Sequence, residues 1–110
     1  MSKVLPDHCM PATFARLLPG HEVFTARRMR WDALSNGKLL AAAAEADFQA
    51  VITVDKNLVH QQSPRRLPIP VIAIDAVKNS IHGLSRYGPD VRALLARRLE
   101  CRVYIIPRRP

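Results

Sequence analysis

The chain has 110 residues, of which 17 are Lys or Arg and 9 are Asp or Glu, giving a formal net charge of +8. That length corresponds to one domain, and an apolar fraction of 48% gives it a core to bury. No apolar run is long enough to span a bilayer, which excludes a membrane-spanning helix.

The N-terminus carries no apolar signal-peptide core. Cys9 and Cys101 form neither a disulfide framework nor a zinc site. Both points fit a reducing compartment, so a cytoplasmic protein is expected. Residues 1–106 are expected to form a single domain and 107–110 a basic tail.

In chain order, Lys3-Val4-Leu5 reads as a first strand. Thr13 to Leu18 reads as a helix with Phe14, Leu17 and Leu18 on one face, stopped by Pro19-Gly20. Glu22 to Thr25 is a second strand, and Ala26 to Met29 a helical turn. Ser35 is placed to N-cap a helix over Asn36 to Asp47, whose alanine tract has high helix propensity and packs close to a sheet. Gln49 to Val54 is a third strand.

Lys56 to Gln62 reads as a short helix or turn, and Ser63 to Pro70 as a Pro-rich connection. Val71 to Ile74 is a fourth strand. Pro89 reads as the first residue of a helix over Asp90 to Glu100, and Arg102 to Ile106 as a fifth strand. Strands alternating with helices predict an α/β fold: a three-layer α/β/α sandwich around a mainly parallel sheet. There is no Gly-rich phosphate loop.

The stretch Val51-Ile52-Thr53-Val54-Asp55 is the most informative in the chain. Its apolar and β-branched run reads as a strand covered on both faces, as in parallel sheets. Such sheets bind ligands at the carboxyl ends of their strands, where Asp55 falls. Val4-Leu5 likewise ends near Asp7. If strands one and three are neighbours, two carboxylates meet at one sheet edge, and a hard cation such as Mg²⁺ or Mn²⁺ would offset their repulsion. The alternative is that each aspartate only caps the helix that follows.

The basic residues come largely as arginine groups: Arg27-Arg28 with Arg30, Arg65-Arg66, Arg97-Arg98 and Arg108-Arg109. Guanidinium forks suit phosphate contacts, and the net charge attracts polyanions. An acidic protein would be attracted equally, so charge leaves RNA and an acidic partner chain both open.

Four segments carry a resemblance: Leu5-Pro6-Asp7-His8-Cys9-Met10-Pro11; Leu17-Leu18-Pro19-Gly20-His21-Glu22-Val23; Trp31-Asp32-Ala33-Leu34-Ser35-Asn36-Gly37-Lys38-Leu39-Leu40; and Thr53-Val54-Asp55-Lys56-Asn57-Leu58. In order and spacing they resemble the short PIN-like proteins. These are compact relatives of the PIN nucleases, which include toxins of bacterial toxin–antitoxin pairs. The resemblance spans roughly residues 3 to 75.

The resemblance implies a ribonuclease that uses Mg²⁺ or Mn²⁺ to activate a water. Asp7 matches the first-strand carboxylate, Asp55 the acid after the central strand, and Thr53 the threonine two residues before it. Asn36 and Lys56 take supporting positions, while Arg27, Arg28, Arg65 and Arg66 are expected to meet the RNA backbone. An acidic antitoxin-like partner and a homodimer are also implied.

The chain departs from the pattern at His8, where the family often has Glu, and at Asn36 and Asn57, where nucleases carry acids. A catalytically inactive PIN-like module that binds nucleic acid or an acidic protein is therefore the alternative.

Other candidates divide by chemistry. Asp32 is a third ligand or a turn cap. His8 is a ligand, a proton shuttle or an ordinary loop residue. Asp75 reads as a cap and Glu45 as a solvated surface residue. Trp31, beside Leu34, reads as core rather than as a base-stacking platform. His60 and Lys56 lie about one helical turn apart and would face a phosphate together or an open helix face.

Overall fold

Two apolar runs form the middle of the sheet. In the computed structural model, which describes residues 3–55, 67–76 and 81–108, β3 (Ala50–Thr53) and β4 (Val71–Ile74) are buried at every position. Burial on both faces is what their unbroken β-branched sequences demand. β1 (Lys3–Pro6) lies against β3 on its other side. The short β2 (Glu22–Val23) and β5 (Val103–Ile106) form the two edges.

The five strands run in the order β2-β1-β3-β4-β5, and every pairing is parallel. The expected α/β class is thus observed, with a sheet parallel throughout the described strands.

Period-two alternation divides the strand side chains between two cores. Val4, Ala50, Ile52, Ile72, Ile74 and Ile106 point to one face. There they meet Phe14 and Leu18, then Leu84, Tyr87, Val91 and Leu95. Leu5, Val51 and Val71 point to the other face, against Leu39, Leu40 and Ala43 of α1 (Asn36–Glu45) and against Phe48. Helical segments therefore cover both faces. Ala43 is fully buried, so the alanine tract serves the close helix–sheet approach expected of it.

Several expectations need correction. The segment after β1 is a 3₁₀ helix, Ala12–Leu17, rather than an α-helix over Thr13 to Leu18. It stops at Pro19-Gly20, and Gly20 takes φ +87°, a backbone conformation side chains disfavour. β2 covers only Glu22 and Val23, with the Phe24 amide donating to the Val4 carbonyl at 3.1 Å, and does not run on to Thr25. Residues 26–30 form hydrogen-bonded turns that end with Arg30 at φ 63°.

α1 ends at Glu45, before Asp47, because Asp47 adopts a left-handed φ of 62°, which closes helices. Lys3 Nζ then donates to the C-cap carbonyl of Ala46 at 2.9 Å, where a cation also suits the helix dipole. Ser35 holds the N-cap position, but its side chain makes no capping hydrogen bond.

The chain from Ile81 to Tyr87, left unassigned by the sequence, forms a turn of helix, α2 (Ile81–Leu84), and a 3₁₀ turn. The final helix, α3, is Gly88–Leu95, so it begins one residue before Pro89 and ends well before Glu100. Beyond the C-cap at Ala96 the chain turns toward β5, and the Glu100 amide donates to the Tyr104 hydroxyl at 2.8 Å rather than to a helical carbonyl. The expected element over Lys56 to Gln62 and most of the Pro-rich connection lie outside the described residues.

Candidate functional site

The sheet order reverses between β1 and β3. β2 lies on one side of β1, while β3, β4 and β5 follow on the other. In open parallel sheets this is where ligands bind, beyond the carboxyl ends of the strands. β1 and β3 are paired through Pro6 and Ile52, so the next residues, Asp7 and Thr53, end the two strands together. The Asp7 amide donates to the Ile52 carbonyl at 3.0 Å.

Asp7 is a buried carboxylate, only 3% exposed. The Thr53 hydroxyl donates to its Oδ2. The Cys9 amide and the Cys9 thiol donate to its Oδ1, at 3.1 and 2.8 Å. Thr53 in turn accepts the Asp55 amide at 2.9 Å, which ties the second carboxylate's backbone to the same hydroxyl. Burial pushes the Asp7 pKa above its usual value, and the hydrogen bonds from Cys9 and Thr53 offset this only in part. The Cys9 thiol is pushed up to about 11, first by burial and then by the Asp7 carboxylate it faces. It is an inert donor near neutral pH rather than a nucleophile.

Beside Asp7 opens a cavity of about 400 Å³, lined by Asp7, His8, Met10, Ala12, Thr25, Ala26, Arg27 and Asp32. It lies on the β2 side of Asp7, whereas Thr53 and Asp55 lie on the β3 side. Asp55 and Asn36 are not on its wall. The cavity instead joins Asp7 to Asp32, which sequence spacing left as a turn residue or a third ligand.

The arginine pair divides as well. Arg27 reaches the cavity, while the Arg28 guanidinium lies over the Phe24 ring at 4.7 Å. Lys56, Asn57, His60, Arg65 and Arg66 lie outside the described residues. Asp75 is ion-paired with Arg108 at 3.2 Å. Glu45 is exposed. Trp31 packs edge-on to Phe48, with ring centres 5.8 Å apart, as part of the core rather than as a stacking platform.

The signal that would have marked the 25–32 segment is its position after β2, which becomes informative only once β2 is known to neighbour β1. The Cys9 tie to Asp7 has no sequence signature beyond a separation of two residues.

Comparison with known proteins finds no matching family model, no matching curated protein and no matching solved structure. The chemistry of the site therefore rests on its own residues. An ionised carboxylate offers about four lone-pair positions. Three donors leave Asp7 one, enough for a single cation contact without displacing Cys9 or Thr53. Among the described residues no group of three His, Cys, Asp or Glu side chains is gathered to hold a metal. The donor set is thus hard oxygen and sparse. It fits Mg²⁺, which keeps most of its waters and commonly takes one or two carboxylates together with substrate phosphates. It does not fit an all-protein cage.

Proposed function

We propose that this chain is a small PIN-like ribonuclease dependent on Mg²⁺ or Mn²⁺, the toxin-like half of a toxin–antitoxin pair. One observation supports the reading above the others. Asp7 and Asp55 follow the ends of two adjacent parallel strands at the reversal of strand order, joined through the Thr53 hydroxyl. Asp7 would hold the cation through its remaining lone pair, with Asp55 as the second carboxylate. A bound divalent ion there would lower the pKa of a coordinated water and stabilise the leaving oxygen.

The chain's own residues supply the rest. Thr53 and Cys9 fix the Asp7 carboxylate in one orientation. Arg27 on the cavity wall draws in a phosphate, and the net charge of +8 steers RNA toward the surface.

The second reading is a catalytically inactive PIN-like module that binds nucleic acid or an acidic protein. The Cys9 thiol directed into Asp7 and the lack of a third gathered ligand among the described residues favour it.

The deciding experiment is RNA cleavage in Mg²⁺ and in Mn²⁺, with EDTA as control, by the native protein and by Asp7→Asn and Asp55→Asn. Cleavage that needs metal and disappears in both variants supports the nuclease. No cleavage, or cleavage that survives both substitutions, rejects it. A second readout is thermal: Mn²⁺ is expected to raise the melting temperature of the native chain and not of Asp7→Asn, because an ion bound only to the folded state stabilises it.

A further inference from the structure

Among the described strands β5 is an edge, with β4 on one side and no strand on the other. Its ladder to β4 runs through Arg102 and Ile106, whose carbonyls accept the amides of Val71 and Asp75 at 3.1 and 2.9 Å. In a parallel ladder alternate residues turn both backbone groups to the same side. Val103 and Ile105 therefore point their N–H and C=O groups outward, away from β4; the Val103 carbonyl there accepts an exposed contact from Arg102 Nη1 at 3.3 Å, which an incoming strand would displace. Ile105 also leaves its side chain 64% exposed, the large apolar exception among the described residues.

The surroundings of this edge are strongly cationic. The Arg102 guanidinium stacks on the Tyr104 ring at 3.8 Å, and Arg97 sits 5.9 Å from the same ring. Arg108 stands at the far end of the strand, paired with Asp75. Arg102 has Glu100 at 3.7 Å, but both side chains are well exposed, where such a pair is weak.

We infer that the outer edge of β5 is a docking strand for an extended acidic segment of a partner protein. The segment would add a sixth strand beside β5 by pairing with the outward groups of Val103 and Ile105. Its apolar side chains would cover Ile105, and its carboxylates would meet Arg97 and Arg102. Charge selects this occupant over a second copy of the chain, since two-fold pairing of β5 with itself would place the same arginines against one another. The inference concerns the edge opposite β2 and is independent of the nuclease reading.

The test uses a labelled synthetic peptide alternating Glu with Val, titrated against the full chain and followed by fluorescence anisotropy. The comparison peptides are the same sequence N-methylated at every second residue and a Lys-for-Glu counterpart. Binding of the acidic peptide is expected, with little binding of the basic one. N-methylation is expected to weaken it about tenfold, equivalent to one or two lost hydrogen bonds. Ile105→Asp and Arg102→Glu are expected to weaken it comparably, and the affinity to fall with added salt.

The peptide comparison does not depend on any variant folding. Equal affinity for the N-methylated peptide would overturn the proposal in favour of diffuse charge attraction, and so would the absence of binding. Self-association that is lost in Ile105→Asp, without peptide binding, would assign the edge to a second copy instead.

Discussion

Thr53 donates its hydroxyl proton to the Asp7 carboxylate and accepts the amide proton of Asp55, so one side chain links the ends of two neighbouring strands. Thr53 is fully buried. Thr53→Val keeps the shape and removes the hydroxyl, leaving a carboxylate oxygen and an amide each short of a partner. A loss of about 1–3 kcal/mol in unfolding free energy is expected. Thr53→Ser, which keeps the hydroxyl, is expected to cost only about 1 kcal/mol for the lost methyl. Urea denaturation of both variants checks the order. Equal losses would mean that the hydroxyl bridge contributes nothing.

Asp7 gives the fold a definite pH dependence. Its carboxyl titrates above the usual 3.8 because burial outweighs its three donors. A raised carboxyl pKa means that the ionised form is less favourable in the folded state than in the unfolded one. The group's contribution to stability is therefore complete below pH 3.8 and is lost as pH rises through the folded-state value. Asp7→Asn removes this titration. The stability of Asp7→Asn relative to the native chain is expected to climb from pH 3.8 upward and level off above the folded-state pKa. Denaturation across a pH series without divalent metal measures it, and a flat difference would contradict a desolvated carboxylate.

Neither Cys9 nor Cys101 is held in a disulfide, but their reactivities should differ widely. Cys101 is exposed, whereas Cys9 is half-buried with its pKa pushed up to about 11. The thiolate is the reactive form, so iodoacetamide is expected to modify Cys101 first and Cys9 slowly. Part of the Cys9 shift comes from the Asp7 hydrogen bond and charge, so Asp7→Asn should speed its alkylation. Mass spectrometry over a time course reads both rates. An unchanged Cys9 rate in the variant would separate the thiol from the carboxylate.

Arg92 fastens α3 to the first 3₁₀ helix by donating from Nη1 to the Leu17 carbonyl at 2.7 Å. Arg92→Ala is expected to cost about 1.5–3 kcal/mol, the range for a charged donor. Gly88 lies beneath this contact. A Cβ there would meet Arg92 Nη1 at 3.1 Å and Leu17 Cβ at 3.4 Å. Gly88→Ala should therefore be neutral or destabilising in the native chain, and less destabilising in the Arg92→Ala background, where the nearest contact is gone and only the Leu17 contact remains. Thermal or urea unfolding of the double-mutant cycle measures the coupling.

Most of the secondary structure was legible in local sequence. Val71 to Ile74 matches β4 residue for residue, and the runs at Lys3 to Leu5 and Gln49 to Val54 lie within a residue or two of β1 and β3. These segments are apolar and β-branched, and burial on both faces reinforces what local propensity already favours. Strands one and three are neighbours, the condition on which the meeting of the two carboxylates at one edge depended. Element ends were less legible, because side-chain contacts outside the apolar periodicity bear on them. The Glu100 amide bonds the Tyr104 hydroxyl four residues on, and Lys3 meets the carbonyl at the end of α1 from the far side of the chain.

Of the candidate site, the sequence by itself determined the carboxylates at the strand ends, since the position of Asp7 after Leu5-Pro6 and of Asp55 after Thr53 follows from chain order. It also determined the charge. Only the tertiary structure decided what each carboxylate faces. Placing β2 beside β1 brings Arg27 and Asp32 to the cavity with Asp7, and placing β3 on the other side gives Asp7 the Thr53 hydroxyl. The physical reason is that strand propensity is local and acts along the chain. The lateral order of strands, and with it the neighbours of any one side chain, is fixed by packing two opposite apolar faces at once.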